Sequence, residues 1–435
     1  MTLPMTVLCS ALAITACGGG GGSESASKSL VVFGPSSWDT FAPGASEDVV
    51  NSVTKQIDDA FKAANPGVTQ IKHDARGTVT DGLSRLTNAV LAGDQVDVVM
   101  CAGNPVNTSY QPKGLIQPVD DVVTKVGPAL NEGATAPFTV EGKVWGVPLS
   151  GVSTTLFIYN KSAFAKAGVS APKTFSQFAA AAPKLKAAGF TPVVHQGKNA
   201  WMWPMWWMSA LAQTTGGEQL EKTKSNLRGE TKFTDAADVE AMKLARSYMD
   251  ANLLDSSSMA LDEEGMRAKF VSGQAASYFT GTWELPILKS SVKNFEYGVF
   301  QFPKFDGQPG PQVGFGGVEV GLCLAKGAKD PELAKKYIEF AASPAMAKLS
   351  LEPTNPVATS HKAVVGATDP LATQIRENFL PSQQWLDWLW PRELGEVVQV
   401  QTQKVMAGSA TPEQACAAIQ AKFDQLAASG YTYKG

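Results

Sequence analysis

Four tryptophans and three methionines fall within the eight residues 201–208. Of all side chains in the sequence, these are the best suited to binding a flat, partly apolar ligand. Indole rings are large, rigid apolar plates that keep one N–H donor at the edge. A cluster this dense needs an unusually aromatic core or a concave surface for a flat, partly apolar, hydroxyl-rich molecule. Because a pyranose has an apolar C–H face and a rim of hydroxyls, the stretch favours a carbohydrate cleft.

The four indoles of this stretch cannot all face one ligand. We expect Trp203 or Trp207 to line the cleft first, and the remaining indoles to pack inward. Trp38 is a further candidate, because it follows the first predicted strand at its carboxyl end. The tryptophans at 283 and 385–390 are expected to supply other parts of the wall.

Composition and spacing exclude several kinds of chemistry. Lys plus Arg number 37 and Asp plus Glu 40, so no basic field exists for nucleic acid. The three histidines lie far apart and no HExxH or CxxC motif occurs, so no metal and no cofactor are predicted. No G-x-S-x-G motif occurs, so the sequence lacks the turn that presents a serine nucleophile in hydrolases. We expect no catalytic residues and no enzyme, although the cleft would also suit a secreted glycoside hydrolase, which needs two opposed carboxylates.

The N-terminus has the pattern of an exported protein. Residues 1–16 are apolar and small, as in a signal peptide, although no Lys or Arg precedes them. The sequence ITAC at residues 14–17 resembles the bacterial lipobox, which makes Cys17 the predicted lipidation site. Glycines and serines up to residue 29 form a flexible tether. We expect an extracytoplasmic lipoprotein, anchored to the outer face of the cell membrane or periplasmic.

The folded part opens with alternating strands and helices. Strands are predicted at residues 30–33, 68–72 and 96–100, and helices at about residues 47–64 and 81–92. This order indicates a parallel α/β sheet, in which ligands bind beyond the carboxyl ends of the strands. Polar binding candidates at that end of the predicted sheet are Asp39, Asn104 and Asn107, with Arg76 as a weaker one.

Three cysteines, Cys101, Cys323 and Cys416, belong to the predicted folded part. Because three is an odd number, they do not form a complete disulfide framework. We expect small buried thiols. Cys101 and Cys323 lie in or at the end of predicted strands that could be neighbours, so their pairing stays open.

A series of short motifs runs in order through the chain. The motifs are VEGKVWGVP at residues 140–148, FIYNK at 157–161, PKTF at 172–175, GQAA at 273–276 and FTGTW at 279–283. The series resembles the extracellular solute-binding proteins that serve ABC sugar importers. The resemblance implies a two-lobed α/β fold of the type II periplasmic-binding-protein class, in which each lobe is a mixed or parallel sheet flanked by helices. Hinge crossovers join the lobes and the ligand lies between them.

The resemblance also implies a division of the chain and a function. The divisions are a signal peptide at 1–16, a lipidated cysteine with its tether at 17–29, a first lobe at 30–150 and 314–345, and a second lobe at 151–313 and 346–435. We expect a monomer that captures a mono- or oligosaccharide by hinge closure and tryptophan stacking, and delivers it to a membrane permease. A sugar-sensing surface receptor is an alternative.

Individual binding residues follow from the same resemblance. Trp283 matches the stacking tryptophan of the family, and Trp390 with Arg392 resembles its aromatic stretch near the C-terminus. For Trp388, as for Trp385, a cleft position and a core position are equally open. Glu319 lies in a glycine-rich predicted crossover, where it would accept bonds from two hydroxyls or form a salt bridge in the hinge.

Overall fold

The computed structural model describes residues 27–34, 47–76, 79–103, 106–380 and 385–433. The predicted signal peptide and the lipidation site Cys17 lie outside these residues, as do the binding candidates Trp38, Asp39 and Asn104. Within the described ranges, no helix has the length and apolar character needed to cross a membrane.

The chain alternates short strands and helices throughout. The strands are β1 (Lys28–Gly34), β2 (Val68–Ala75), β3 (Val98–Ala102), β4 (Ile116–Gln117), β5 (Thr139–Val140), β6 (Lys143–Val144), β7 (Val147–Pro148), β8 (Gly151–Asn160), β9 (Ser277–Gly281), β10 (Tyr297–Phe300), β11 (Gly316–Val318), β12 (Val320–Ala325) and β13 (Ala358–Thr359). The helices are α1 (Glu47–Ala64), α2 (Val79–Ala92), α3 (Asp120–Val126), α4 (Lys161–Lys166), α5 (Phe175–Ala187), α6 (Trp203–Thr214), α7 (Gln219–Arg228), α8 (Ala236–Asp250), α9 (Glu263–Val271), α10 (Glu284–Ser291), α11 (Pro331–Ala341), α12 (Pro344–Leu351), α13 (Pro370–Asn378), α14 (Arg392–Ala407) and α15 (Pro412–Ala428).

A first sheet organises the N-terminal part of the chain. Its strands run in the order β2-β1-β3-β12-β4, with β7 also paired to β12. β1 is parallel to β2 and β3, as the sequence pattern predicts, whereas β12 is antiparallel to β3. The sheet is therefore mixed. Helix α1 lies over it and buries Val53, Ile57 and Phe61 in the core of this first lobe.

A second sheet is built around the long strand β8, which pairs with β9, β10, β11 and β13. Its core is strongly aromatic, with Phe157, Trp206 and Phe279 packed against one another. Helix α5 closes this core and begins with a capping box between Thr174 and Gln177.

Three segments of the chain, which lie side by side, connect the two sheets. β8 follows β7 directly, β11 leads into β12, and β13 follows α12. Within this crossing region β11 and β13 both pair with the first residues of β8. The Ser150 hydroxyl accepts bonds from the backbone N–H groups of Glu319 and Val320, both at 3.2 Å. This arrangement is a compact hinge between two lobes.

A disulfide bond links Cys101 of β3 to Cys323 of β12, with the Cα atoms 6.1 Å apart. The sequence left this pairing open, and the general expectation of small buried thiols does not hold for these two cysteines. The reason is topological, because the chain returns through the second lobe before β12 pairs with β3, and 222 residues separate the two cysteines. Cys416 is a buried free thiol, as expected.

Candidate functional site

Helix α6 carries most of the dense tryptophan stretch, and it is buried on all sides. Trp203 and Trp207 are 0% and 1% exposed, and their indole N–H groups donate to the backbone oxygens of Gly197 at 2.9 Å and Asp238 at 3.0 Å. The structure thus contradicts the prediction that these two indoles line a cleft. A helix that is apolar on every face packs inside a core.

The remaining indole of the stretch, Trp201, is 39% exposed. It lies in the turn Ala200–Met202 that precedes α6, where it is outside the helical packing. Its ring centre lies 6.0 Å from that of Trp283, with the planes tilted by 51°. Trp283 is half-buried at the junction of β9 and α10. We call Trp201 and Trp283 the first aromatic wall.

Trp385 and Trp388 form a second aromatic wall. Both are half-buried, and their rings stack at 5.0 Å with an interplanar angle of 13°. Trp388 fills the space beside Gly103 at the end of β3, where an added Cβ would lie 2.6 Å from its ring. The second wall therefore connects the C-terminal segment to the first lobe.

A cavity of about 430 Å³ opens beside the second aromatic wall. Its lining combines a loop of the first lobe, the crossing strands and the C-terminal segment. The lining residues are Asn131, Glu132, Gly133, Ala134, Ala136, Pro137, Val152, Gly316, Gly317, Val318, Thr359, Ser360, Trp385, Trp388 and Leu389. The cavity thus lies between the lobes, next to the hinge.

Strand β8 separates the two aromatic walls. On one side Thr154 bonds to Thr282 of the β9 end, and on the other Thr155 bonds to Phe315. Trp283 folds over Gly281 of β9, and Trp385 lies against Gly317 of β11. Because neighbouring strands lie about 5 Å apart, β9 and β11, against which the two walls lie, are about 10 Å apart.

Trp390 does not belong to either wall. It is 2% exposed, and its ring stacks on the buried Trp207 at 5.9 Å and 23°. The prediction that Trp390 faces the cleft is therefore contradicted. The short turn Asp387–Leu389 places Trp385 and Trp388 towards the cavity, whereas Leu386 and Trp390 on either side pack into the core of the second lobe.

Glu319 is the carboxylate at the hinge. It accepts a hydrogen bond from the Ser153 hydroxyl, and it forms no ion pair within the described parts of the chain. The alternative of a salt bridge in the hinge is therefore not observed there. Burial raises the pKa of Glu319 to about 7, while the bond from Ser153 lowers it by less. Ser153 pairs with Gly317, which lies against Trp385, so the carboxylate is connected through Ser153 to the strand beneath the second wall.

The other polar candidates lie elsewhere or have local partners. Arg76 is exposed and bonds to both carboxylate oxygens of Asp74, at 2.7 and 2.8 Å. Arg392 is bonded to Glu396 one turn along α14, at 2.8 Å. Neither arginine lines the cavity. Asn107 belongs to the π-helical turn Val106–Tyr110, which lies near the turn Asp387–Leu389, and its side chain is outside the description.

The residues that sequence reasoning missed are Trp201 and Ser153, whereas for Trp385 it left a cleft position and a core position equally open. A signal for Trp201 was present, because Pro204 marks the first turn of α6 and so places Trp201 before the helix. Within the described residues, no group of His, Cys, Asp and Glu side chains is arranged to hold a metal ion. Indole plates flanking a hydroxyl and a carboxylate suit a ligand with apolar faces and hydroxyl edges.

Comparisons with known proteins agree on one family. The family model described as bacterial extracellular solute-binding protein matches residues 44–348. The maltodextrin-binding protein MdxE of Bacillus subtilis is 28% identical over 280 residues, which are 61% of each chain. The match therefore spans less than two thirds of that relative. The multiple sugar-binding protein of Streptococcus mutans is 24% identical over 67% of this chain and 68% of its own.

A solved structure extends the likeness to nearly the whole fold. A chitin oligosaccharide binding protein superposes with a TM-score of 0.79 at 25% sequence identity. The superposition covers 92% of this chain and 99% of that protein.

Proposed function

This chain belongs to the bacterial extracellular solute-binding protein family, and on that premise we propose that it is the sugar-binding component of an ABC importer. It captures a mono- or oligosaccharide between its two lobes and delivers it to the permease. The relatives matched by sequence are named as maltodextrin-binding and multiple sugar-binding proteins, which supports sugar as the ligand class.

One observation carries the proposal. Two separate aromatic walls stand on opposite sides of β8, and Ser153 with Glu319 lies at the crossing region near them. Each indole plate covers the apolar face of a pyranose. Each hydroxyl that loses water needs a replacement partner, since an orphaned group costs about 1–3 kcal/mol. The carboxylate and the hydroxyls of the crossing strands supply such partners.

Closure of the lobes completes the binding step. The cavity is lined from both lobes and from the crossing strands, so a ligand held there contacts both halves of the molecule. Contacts that form only in the closed arrangement shift the equilibrium between open and closed forms towards closure. Two lobes connected by a compact hinge are a known architecture for such motion.

The cellular setting follows from the family and from the N-terminal sequence. An extracellular solute-binding protein acts outside the cytoplasm, which fits the predicted signal peptide. Lipidation of Cys17 would anchor the protein to the membrane through the glycine-rich tether, and we propose that it acts there as a monomer. Mass spectrometry of the membrane fraction from the native host tests the anchor, since a mature protein without a lipid on Cys17 contradicts it.

A thermal-shift screen against a panel of mono- and oligosaccharides, followed by titration calorimetry of the hits, tests the proposed function. We expect a dissociation constant in the micromolar range, about −8 kcal/mol of binding free energy. Stoichiometric binding without release of reducing sugar supports a receptor. Turnover of an oligosaccharide would instead support the glycoside hydrolase, and failure of every sugar to bind would contradict the proposal.

A further inference from the structure

The indole of Trp283 occupies a position that its own backbone restricts. The ring folds back over Gly281, two residues earlier, at the end of β9. An added Cβ on Gly281 would lie 2.0 Å from Cζ3 of Trp283 and 2.3 Å from Cε3. Only glycine therefore permits the indole to lie at this place, and a small shift of residue 283 would move the ring away from Trp201.

The residue after Trp283 is held by a buried ion pair. Glu284 is 0% exposed, and its two oxygens accept bonds from Nε of Arg267 at 2.8 Å and from the Arg267 guanidinium at 2.6 Å. The Tyr278 hydroxyl donates to the same carboxylate at 3.3 Å. A two-point bond between guanidinium and carboxylate fixes orientation as well as distance. The first residue of α10 is thereby tied to α9 and β9.

The residue before Trp283 is fixed as well. The backbone N–H of Thr282 donates to the oxygen of Thr154 at 3.0 Å, and the Thr282 hydroxyl accepts from the Thr154 N–H at 3.1 Å. Residues 282 and 284 are therefore anchored to different elements, β8 and α9. Trp283 lies between these anchors, so its backbone has little freedom to move.

We infer that the buried Glu284–Arg267 pair is a positioning device that holds the Trp283 indole at the cleft. The inference rests on the proposed function, in which Trp283 stacks on a sugar ring. Glu284 is enclosed by protein and cannot touch the ligand, so its effect on binding passes through the indole. The pair determines where the first aromatic wall stands relative to the hinge.

A double-mutant cycle tests this inference with the sugar probes suggested by the relatives, a maltodextrin and a chitin oligosaccharide. We expect Glu284→Gln to weaken binding about tenfold in the otherwise unchanged protein, and by less than about twofold in a Trp283→Ala background. An equal loss in both backgrounds would show a general structural effect and overturn the inference. Arg267→Lys, which keeps the charge and loses the two-point bond, is measured in the same cycle in case Glu284→Gln does not fold.

A direct readout of the ring does not depend on measurable sugar affinity. In protein labelled with 5-fluorotryptophan, the ¹⁹F resonance of Trp283 is identified by its loss in Trp283→Ala. We expect Glu284→Gln to shift or broaden that resonance in the absence of sugar. Asp238→Asn is the matched control, because Asp238 is also 0% exposed and bonded to a cation, Lys222, yet lies on α8. An unchanged Trp283 resonance in Glu284→Gln would overturn the inference.

The outcomes separate this inference from the proposed function. If no sugar binds the unaltered protein, the proposed function fails whatever the ring does. If Trp283→Ala weakens binding and the Glu284 variant neither weakens it nor moves the resonance, only the positioning role is wrong.

Discussion

At the scale of single residues, exposure separates two kinds of tryptophan, those enclosed in the core and those that are half-buried or exposed. Trp203 and Trp207 are enclosed and donate to backbone oxygens, so their polar edges are satisfied within the protein. The Nε1 atom of Trp385 is buried and has no partner in the described structure, although the ring lines the cavity. An unpaired donor beside a cavity is a site where a ligand oxygen would be stabilised.

Replacing one tryptophan of each kind gives the first prediction. Trp283→Ala should weaken sugar binding about ten- to a hundredfold, because a large apolar contact of roughly 1.5–3 kcal/mol is lost, with little change in stability. Trp207→Ala should instead lower the free energy of unfolding by roughly 3–5 kcal/mol, as for other large core deletions. Calorimetry with sugar and denaturant titration measure the two effects. Unchanged sugar affinity in Trp283→Ala would contradict the assignment of the first wall.

Glu319 gives a second prediction at this scale. Its pKa is raised to about 7 by burial, so its charge changes near neutral pH. Sugar hydroxyls act here as donors, and an ionised carboxylate accepts from them more strongly than a protonated one. We therefore expect sugar affinity to rise as pH increases from 6 to 8, and Glu319→Gln to remove most of this rise. A pH-independent affinity in the unaltered protein would show that Glu319 does not contact the ligand.

The sequence predicted that tryptophans from separate parts of the chain form partly exposed aromatic surfaces better than it predicted which tryptophans these are. Trp283 was selected by the family motif and lies at a partly exposed junction. The cleft positions predicted for Trp203, Trp207 and Trp390 were wrong. The identity of a residue does not tell which face of a helix or turn is covered by other elements. Which residues around Trp388 are exposed and which are buried depends on the short turn Asp387–Leu389. A turn has no periodic pattern of apolar residues from which burial could be predicted.

At the scale of elements, the disulfide joins two strands that lie far apart in sequence. Cys101 and Cys323 tie β3 to β12 inside the first sheet, where both are buried. Cross-linking residues this distant restricts the unfolded chain strongly, and loss of such a bond typically costs 2–5 kcal/mol.

The third prediction follows from that link. In the double variant Cys101→Ala with Cys323→Ala, the free energy of unfolding should be lower by about 2–5 kcal/mol. The variant should therefore unfold at a lower denaturant concentration. Dithiothreitol should lower the melting temperature of the unaltered protein and leave that of the double variant unchanged. Cys416→Ala is the control, since Cys416 is a free thiol and its replacement should preserve the response to reductant. A melting temperature insensitive to reductant in the unaltered protein would contradict the bond.

Elements with strong local signals were predicted closely. Helix α1 has the predicted bounds, and the T-x-x-Q sequences at Thr174 and Thr411 form capping boxes with Gln177 and Gln414. These signals depend on neighbours within one turn, so the sequence contains them directly. The antiparallel position of β12 and the pairing of its cysteine with β3 depend on contacts over more than two hundred residues, and no local pattern encodes them.

At the scale of the whole molecule, several buried and half-buried carboxyl groups make stability depend on pH. Desolvation raises the pKa of the buried Asp238 to about 6, and of the half-buried Glu263 and Asp387 to about 7. The folded state therefore holds protons that the unfolded state has already released, and stability falls as pH rises through these values. Burial lowers the pKa of His195 to about 3, which has the opposite effect, and this effect becomes small above the ordinary histidine pKa of about 6.5.

The fourth prediction uses the range in which the histidines compete least with the carboxyl groups. Between pH 7 and 8, histidines are mostly neutral in both states, so the carboxyl groups with raised pKa values decide the sign. We expect the melting temperature to fall over this range, and Glu263→Gln, which removes one titrating group, to reduce the fall. Scanning calorimetry at several pH values measures the slope, and a melting temperature that rises from pH 7 to 8 would contradict it.

One close contact between the two lobes lies beside the cavity. Trp388 of the C-terminal segment lies against Gly103 of the first lobe, where an added Cβ would be 2.6 Å from the ring and 2.7 Å from Pro137. A side chain at residue 103 therefore prevents Trp388 from reaching this position. Because the same ring stacks on Trp385 beside the cavity, its displacement would open the interface between the lobes and disturb the second aromatic wall.

The fifth prediction is that Gly103→Val shifts the molecule towards an open arrangement. We expect weaker sugar binding and, at saturating sugar, a larger radius of gyration than that of the unaltered protein in small-angle scattering. Gly395→Ala is the control, since this glycine lies within α14 and an added Cβ would meet nothing within 4 Å. A ligand that binds only the closed form must also supply the free energy of closure. A variant that raises the free energy of closure therefore makes the binding free energy less favourable by the same amount. Equal compaction of the Gly103 variant and the control on sugar binding would show that the Trp388 contact has no part in closure.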